Sequence, residues 1–471
     1  MFKHVVAPAA LAAALIAVPA SAATDAELTE IRDQIRQLKE TYEARINALE
    51  ARLRAAEARS AAAPAAPVAA SPAAPAAAAP AAPAAVAAPA TAAPASGIAA
   101  FNPAISVVLQ GTYTNLSQDP KTFALAGFQQ PPDIGPGRRG LGLGESEIGI
   151  SANVDDKFAA NLVVSLTPEN TVSVEEAYGF MPSLPDGIVP KFGRFFSGIG
   201  YLNEQHQHAW DFQDAPLAYQ AFLGGQLAQD GAQVKWVAPT EQFLELGAEI
   251  GNGDSFPGSE RDRNGIGSTA LFAHTGGDIG ASQSWRAGVS FLTTRPRDRE
   301  TTQLDTAGNL ADVAFSGRSR TWIADAVWKY APNGNAQQTN FKVQGEYFWR
   351  RESGDLTYDA NGTLGLTQTD AYSSRQRGWY LQGVWQFMPM WRVGARYDRL
   401  DPGTAQYGAN ADLLALDFHP ERATVMLDYT PSEFSRFRIQ YANSKTRPDA
   451  TDHQLFLQYI LTLGAHGAHK F

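Results

Sequence analysis

The amino-acid sequence predicts an all-β fold: a transmembrane, antiparallel, up-and-down β-barrel of about sixteen strands, preceded by a coiled-coil helix and an Ala/Pro-rich linker. Three observations carry this prediction. From about residue 101 to residue 471 the chain repeats runs of roughly ten residues in which every second side chain is apolar or aromatic, the period of a strand. The connections between runs alternate mostly long and short, as when tight turns sit on one rim of a barrel and longer loops on the other. A Greek-key sandwich has no reason to sort its loops this way. Finally, the apolar face is loaded with Trp and Tyr while the opposite face is charged, so lipid suits the first and water the second.

Composition narrows the function classes. The chain has 471 residues, no Cys, 18% charged residues and a formal net charge of −10. Its length implies more than one segment. An acidic balance without any Lys/Arg block excludes nucleic acid as a partner. The absence of Cys removes disulfides, thiol catalysis and Cys-ligated metal.

Three pieces precede the barrel. Residues 1–22 have a basic start at Lys3, an apolar run from Val5 to Val18 and the small-residue site Ala20-Ser21-Ala22, the pattern of a signal peptide cut after Ala22. The apolar run falls short of the roughly twenty residues needed to span a bilayer. Residues 25–60 place Leu28, Ile31, Ile35, Leu38, Tyr42, Ile46, Leu49, Leu53 and Ala56 at steps of three and four. That is a coiled-coil seam with one stutter between Tyr42 and Ile46, and so narrow a stripe needs partners, most simply its own copies, in the periplasm. Residues 61–100 are dominated by Ala and Pro, an extended spacer that reaches on the order of 100 Å at roughly 3 Å per residue.

The barrel, residues 101–471, is read strand by strand. The early strands are Ile105–Asn115, Glu145–Val154, Phe158–Leu166, Val172–Phe180 and Val189–Phe195, and residues 196–229 form the longest excursion before Ala232–Ala238. Phe243–Gly251, Ile266–His274 and Ser282–Thr294 follow. The second half is cleaner: Arg320–Tyr330, Asn340–Arg350, Trp379–Phe387, Trp391–Arg399, Arg422–Tyr429, Phe434–Asn443 and Thr451–Leu463. One face collects Trp285, Trp322, Trp328, Tyr347, Trp349, Trp379, Trp385 and Trp391, suited to the headgroup level of a bilayer. The other collects Arg286, Lys342, Glu346, Arg350, Arg392, Arg396, Asp398, Arg436 and Arg438. Charges at mid-membrane cost about 2–4 kcal/mol on a lipid face, so these nine are the candidates to line a polar lumen.

On these residues the chain resembles outer-membrane porins, in particular the phosphate-selective porin superfamily. The segment Val174-Glu175-Glu176-Ala177-Tyr178 followed by Lys191-Phe192-Gly193-Arg194-Phe195-Phe196 looks like that family's paired strands ahead of the long third loop, and terminal Phe471 matches the aromatic last residue of such barrels. The resemblance implies a homotrimer in the outer membrane that passes small hydrophilic solutes, with a third loop, here 196–229, folded into the lumen. This loop carries no Lys or Arg, a departure from the phosphate-selective members. Charge preference then rests on the ladder Arg392, Arg396, Arg436 and Arg438, which predicts modest anion preference. A looser likeness to barrels described as zinc-regulated or TonB-dependent receptors runs through Phe101-Asn102-Pro103-Ala104-Ile105-Ser106, Gly144-Glu145-Ser146-Glu147 and the ending His466-Gly467-Ala468-His469-Lys470-Phe471. A TonB-dependent receptor needs a folded plug and about twenty-two strands, which the helix and spacer cannot supply.

Two side-chain groups are candidate sites of other kinds. His206 and His208, with Glu204, Asp211 and Asp214 nearby, offer imidazole and carboxylate to a divalent metal. The Gly-rich stretch Gly135–Gly144 lacks the strand-loop-helix frame of a phosphate cradle and reads as an external loop. No spacing groups a nucleophile with a base, so no enzyme activity and no cofactor are expected. Besides the porin reading stand a metal-linked receptor and a structural tether, in which a plugged barrel links the outer membrane to periplasmic partners.

Overall fold

A computed structural model describes residues 103–464 except 168–170, 183, 261, 263, 414, 415 and 449. All of these belong to the second of the two units into which the chain divides, Ala81–Phe471. The signal-peptide, coiled-coil and linker segments, and the ending with His466, His469 and Phe471, lie outside the described residues.

Strands β1 (Ala104–Leu116), β2 (Gly140–Leu143), β3 (Ser146–Asn153), β4 (Ala159–Leu166), β5 (Val172–Phe180) and β6 (Ile188–Phe196) begin the wall. It continues through β7 (Ala228–Val237), β8 (Phe243–Gly251), β9 (Ser268–Ile279), β10 (Gln283–Thr294), β11 (Arg299–Leu304) and β12 (Leu310–Tyr330). Strands β13 (Asn340–Tyr358), β14 (Gln368–Met388), β15 (Trp391–Gln406), β16 (Glu421–Ser432), β17 (Ser435–Arg447) and β18 (Ala450–Gly464) complete it. β2 and β3 both pair with β1, opposite Gly111–Thr114 and Ala104–Val108, and form one interrupted stave. β10 and β11 both pair with β12 in the same way. Eighteen segments less these two interruptions give sixteen staves. β18 pairs back onto β1, with Ser106 opposite Gly464, so the antiparallel sheet closes on itself and leaves no edge.

The barrel is apolar outside and polar inside. On β13, Gln344, Glu346, Phe348, Arg350 and Glu352 are buried while Tyr347 between them is exposed. On β17, Arg438 and Gln440 are buried while Phe437, Ile439 and Tyr441 stand outside. Leu381, Val425 and Ile439 are each more than half exposed on the outer wall, an arrangement that costs free energy in water and none in lipid. The closed ladder satisfies the wall's backbone groups within the sheet, which a hydrocarbon environment requires. The chain therefore spans a membrane as a sixteen-stranded barrel. Among the described residues no helix is long and apolar enough to cross a membrane.

The structure corrects the sequence reading at several points. β12, β13, β14 and β15 run 21, 19, 21 and 16 residues, well past the expected ends on the long-loop side. Above the lipid both faces meet water, so alternation fades although the hydrogen-bonded ladder continues. The extension includes the hairpin β11–β12, unseen in a stretch read as loop. Part of Gly135–Gly144, read as an external loop, is β2. The connection from β1 to β2 also turns back over the mouth: Leu125 and Phe128 are buried, and the Gly127 carbonyl accepts a hydrogen bond from Gln376 Nε2 at 2.8 Å.

Candidate functional site

Residues 197–227, between β6 and β7, fold into the barrel and cross it. Asn203 clasps the base of this inner segment: its Nδ2 donates to the Ser197 and Leu227 carbonyls at 2.8 and 3.0 Å, and its Oδ1 accepts from Leu227 N at 2.8 Å. Within the segment a short helix, α1 (Leu217–Leu223), is wholly buried and ends at Gly224, whose φ of 69° favours glycine. Phe222 stacks on Phe348 of the wall, ring centroids 5.6 Å apart, and Tyr219 packs edge-on against the same ring at 5.2 Å. This apolar contact with β12–β15 joins the segment to one side of the barrel interior. Sequence reading missed α1. The visible signal was the density of large apolar side chains, Ile199 to Phe222, in a stretch that an exposed loop would keep polar.

All nine candidate lumen residues face inward, and all nine touch the inner segment. Arg286 donates to the Gly200 carbonyl at 3.4 Å, and Lys342 pairs with Asp211. Glu346 accepts from Leu202 N at 3.1 Å and from the Tyr219 and Tyr380 hydroxyls at 2.9 and 2.7 Å. Arg350, fully buried, donates to the Ala221 carbonyl at 3.1 Å. Arg392 pairs with Asp211 at 3.2 Å and with Asp428. Arg396 pairs with Asp214 at 2.9 Å and with Asp398 at 3.0 Å, while Asp398 accepts from Leu217 N at 2.9 Å. Arg436 and Arg438 both donate to the Trp210 carbonyl, at 3.1 and 3.0 Å, and Arg438 pairs with Asp428 at 2.8 Å. Arg422 also pairs with Asp214, at 2.5 Å. The ladder is therefore the anchor of the inner segment, its charge met by Asp211, Asp214, Asp398 and Asp428.

The segment's own titratable groups reflect this docking. Burial alone raises a carboxylate's pKa, yet Lys342 and Arg392 hold Asp211 down at about 2, and Arg396 and Arg422 do the same for Asp214. Against burial, Lys235 and Lys191 hold Glu204 at about 2. Burial and the adjacent Glu346 carboxylate push the Tyr219 hydroxyl well above its ordinary value, so it serves as a donor.

On the opposite wall the histidines meet different carboxylates from those expected. Glu204 pairs with Lys235, and Asp211 and Asp214 reach the basic wall, so none of the three joins the histidines. Glu147, Glu175 and Glu176 do. His206 Nδ1 lies 3.2 Å from Glu175 and 3.4 Å from Glu147, and its Nε2 lies 3.1 Å from Glu176. His208 Nδ1 is 2.8 Å from Glu147, and the two imidazoles stack at 5.7 Å. Two consecutive strand residues ordinarily point to opposite faces. Here a β-bulge intervenes: Val163 pairs with Glu176 and Val164 with Val174, leaving Glu175 as the extra residue, so both glutamates reach His206. Burial opposes a charged imidazole, but Glu175 and Glu176 outweigh it and raise the His206 pKa well above the ordinary value. Glu147, Glu175 and His206 each offer a ligand atom, all within 4.8 Å of one another.

A closed membrane barrel with an acidic interior wall, a basic interior wall and a segment docked between them is the class that fold and site define. The chain belongs to the same family as an uncharacterized protein of Aquifex aeolicus (strain VF5), to which it is 30% identical over 362 residues, 71% of each chain. No family model matches it. Among solved structures it is similar to a loop-deletion mutant of OmpT from Vibrio cholerae, at 13% identity over 77% of this chain and 100% of that one, with a TM-score of 0.47. It is also similar to the anion-selective porin from Comamonas acidovorans, at 9% identity over 77% and 99%, with a TM-score of 0.44. OmpF of Salmonella typhi stands at 11% identity over 77% and 98%, with a TM-score of 0.45.

Proposed function

We propose that the protein is an outer-membrane porin, a diffusion channel for small hydrophilic solutes whose bore is set by the inner segment 197–227. The observation that carries this reading is the interior itself. Buried polar atoms of Gln110, Thr321, Asp325, Gln344, Thr424 and Gln454 face inward without a protein partner, and such groups are stable when hydrated. Arg392, Arg396 and Arg438 are each paired with an aspartate, so most of the ladder's charge is already neutralised. Of the four ladder arginines, Arg436 holds the segment through the Trp210 carbonyl rather than through a carboxylate, so a weak anion preference rests on it and on Arg286, which likewise meets a carbonyl. The signal peptide, the periplasmic coiled coil and a homotrimer complete the proposal. Liposome swelling tests it: entry of pentoses and hexoses with exclusion of larger oligosaccharides supports a narrow porin. A folded barrel that admits neither supports the plugged tether.

The carboxylates around His206 support a second reading, a divalent-cation site of the metal-linked receptor type, with Glu147, Glu175 and His206 as first ligands and His208 beside them. Dialysis against Zn²⁺ followed by elemental analysis would show one bound ion per chain, lost in His206→Gln with Glu147→Gln. Equal content in the wild type and this variant rejects the site.

A further inference from the structure

The outer wall carries a feature that neither conduction nor metal binding uses. On β12, β13 and β14 the residues Ser319, Thr321, Arg350, Glu352, Ser374 and Gln376 are buried, so their strand neighbours Arg320, Arg351 and Arg375 face outward, where all three are exposed. These arginines are direct cross-strand partners, Arg320 opposite Arg351 and Arg351 opposite Arg375. One outward step toward the short-turn rim lies an aromatic tier in the same register: Phe291 opposite Trp322, and Trp322 opposite Trp349. Phe291 and Trp322 touch at 4.5 Å between centroids, Trp322 is 51% exposed, and the Arg351 guanidinium lies 4.3 Å over the Trp349 ring. Arg320 and Arg351 line a recess of about 630 Å³ in the wall together with Phe291, Trp322 and Trp349, with Arg318 also on its lining, and Arg375 adjoins it as the cross-strand partner of Arg351.

Like charges directly opposite one another destabilise a sheet, so three aligned arginines call for an anion between them. Among the described residues none of Arg318, Arg320, Arg351 or Arg375 forms an ion pair, and the acidic register partner at this level, Asp401, stands opposite Arg377. Exposed Trp marks the headgroup level of a bilayer, which places the arginines among lipid headgroups. Guanidinium groups bind phosphate oxygens in a bidentate fork. We propose that this part of the outer wall binds a phosphorylated lipid, its headgroup phosphates held by Arg320, Arg351 and Arg375 and its acyl chains laid along Phe291, Trp322 and Trp349. The site rests on the lipid-facing wall and not on whether the lumen conducts.

The test uses the purified full chain in non-ionic detergent spiked with diphosphorylated lipid A or its dephosphorylated form, and measures by mass spectrometry the lipid retained through size exclusion. The wild type retains the phosphorylated lipid at least about 10-fold better than the dephosphorylated one, and the combined variant Arg320→Gln, Arg351→Gln, Arg375→Gln loses that preference. Equal retention of the two lipids by the wild type overturns the proposal, as does undiminished preference in the variant. Complete displacement by millimolar inorganic phosphate marks a site for a soluble anion and also overturns it. A changed oligomeric state in the variant with unchanged lipid preference marks an interface between copies and equally overturns the lipid site. Should the variant fail to fold, salt decides on the wild type: retention falls as NaCl rises from 50 to about 500 mM if phosphates are bound, and a flat response rejects the site.

Discussion

Asp214→Asn removes one charge from the junction where the inner segment meets the basic wall. Asp214 Oδ1 lies 2.9 Å from Arg396 and 2.7 Å from Gln440 Nε2, and Oδ2 lies 2.5 Å from Arg422, so the isosteric amide leaves two buried guanidiniums short of a counter-charge. Breaking a buried pair costs about 3–5 kcal/mol. Both arginines keep Asp398, at 3.0 and 3.4 Å, so the lower end applies. About 3 kcal/mol lowers the ratio of docked to released inner segment roughly 100-fold. The barrel wall is untouched, since its ladder does not involve Asp214. Single-channel recording in planar bilayers reads the release as frequent transitions to a larger conductance that the wild type visits rarely. Wild-type conductance and noise in a folded Asp214→Asn barrel would refute the claim that these ion pairs hold the segment in the bore.

The same contacts set the response to pH. The pKa values of Asp211 and Asp214 are depressed to about 2 when docked, so their contribution is complete above the ordinary carboxylate range, about pH 4, and is lost as pH falls toward 2. Channel noise should stay constant from neutral pH down to about 5 and rise below about 4. For His206 the sign is opposite. Its pKa is raised, so its contribution is complete below about 6.5 and is lost as pH climbs through the raised value. An alkaline rise in noise that disappears in His206→Gln is expected, and an alkaline rise that persists in this variant assigns it elsewhere. On the outer wall, Leu381→Arg places a charge at a lipid-facing position that is 52% exposed, and urea titration of folding into vesicles should register a loss of about 2–4 kcal/mol. No loss would place Leu381 outside the hydrocarbon.

Much of the wall was legible because one rule governs it. Lipid outside and polar interior force period-two alternation along every stave, and the residues from Phe341 to Arg350 display it with one exception, Phe348, which faces inward to pack on the inner segment. The signal weakens where that pressure ends. β14 begins at Gln368, eleven residues before the expected Trp379, because Asp370 to Arg377 stand beyond the hydrocarbon, at the headgroups and above them, and no face needs to be apolar. The inward direction of all nine candidate residues was likewise readable from parity, but their partners were not, since parity says nothing of what fills the bore. Asp211 and Asp214 looked like companions of His206 by proximity in sequence, whereas the segment carries them across to the far wall. The true companions come from β3 and β5, and Glu175 joins them through a bulge that reverses the parity on which sequence reading relied.

A porin requires a hydrated passage past the docked segment 197–227, and conductance of the purified wild-type chain in planar bilayers under a salt gradient detects that passage without intermediate assumptions. Discrete openings are expected, in threes if the protein is the proposed trimer, with a small reversal potential of the sign of weak anion preference. A correctly folded barrel that stays silent across the voltage range would contradict the porin reading and leave the plugged tether as the standing interpretation.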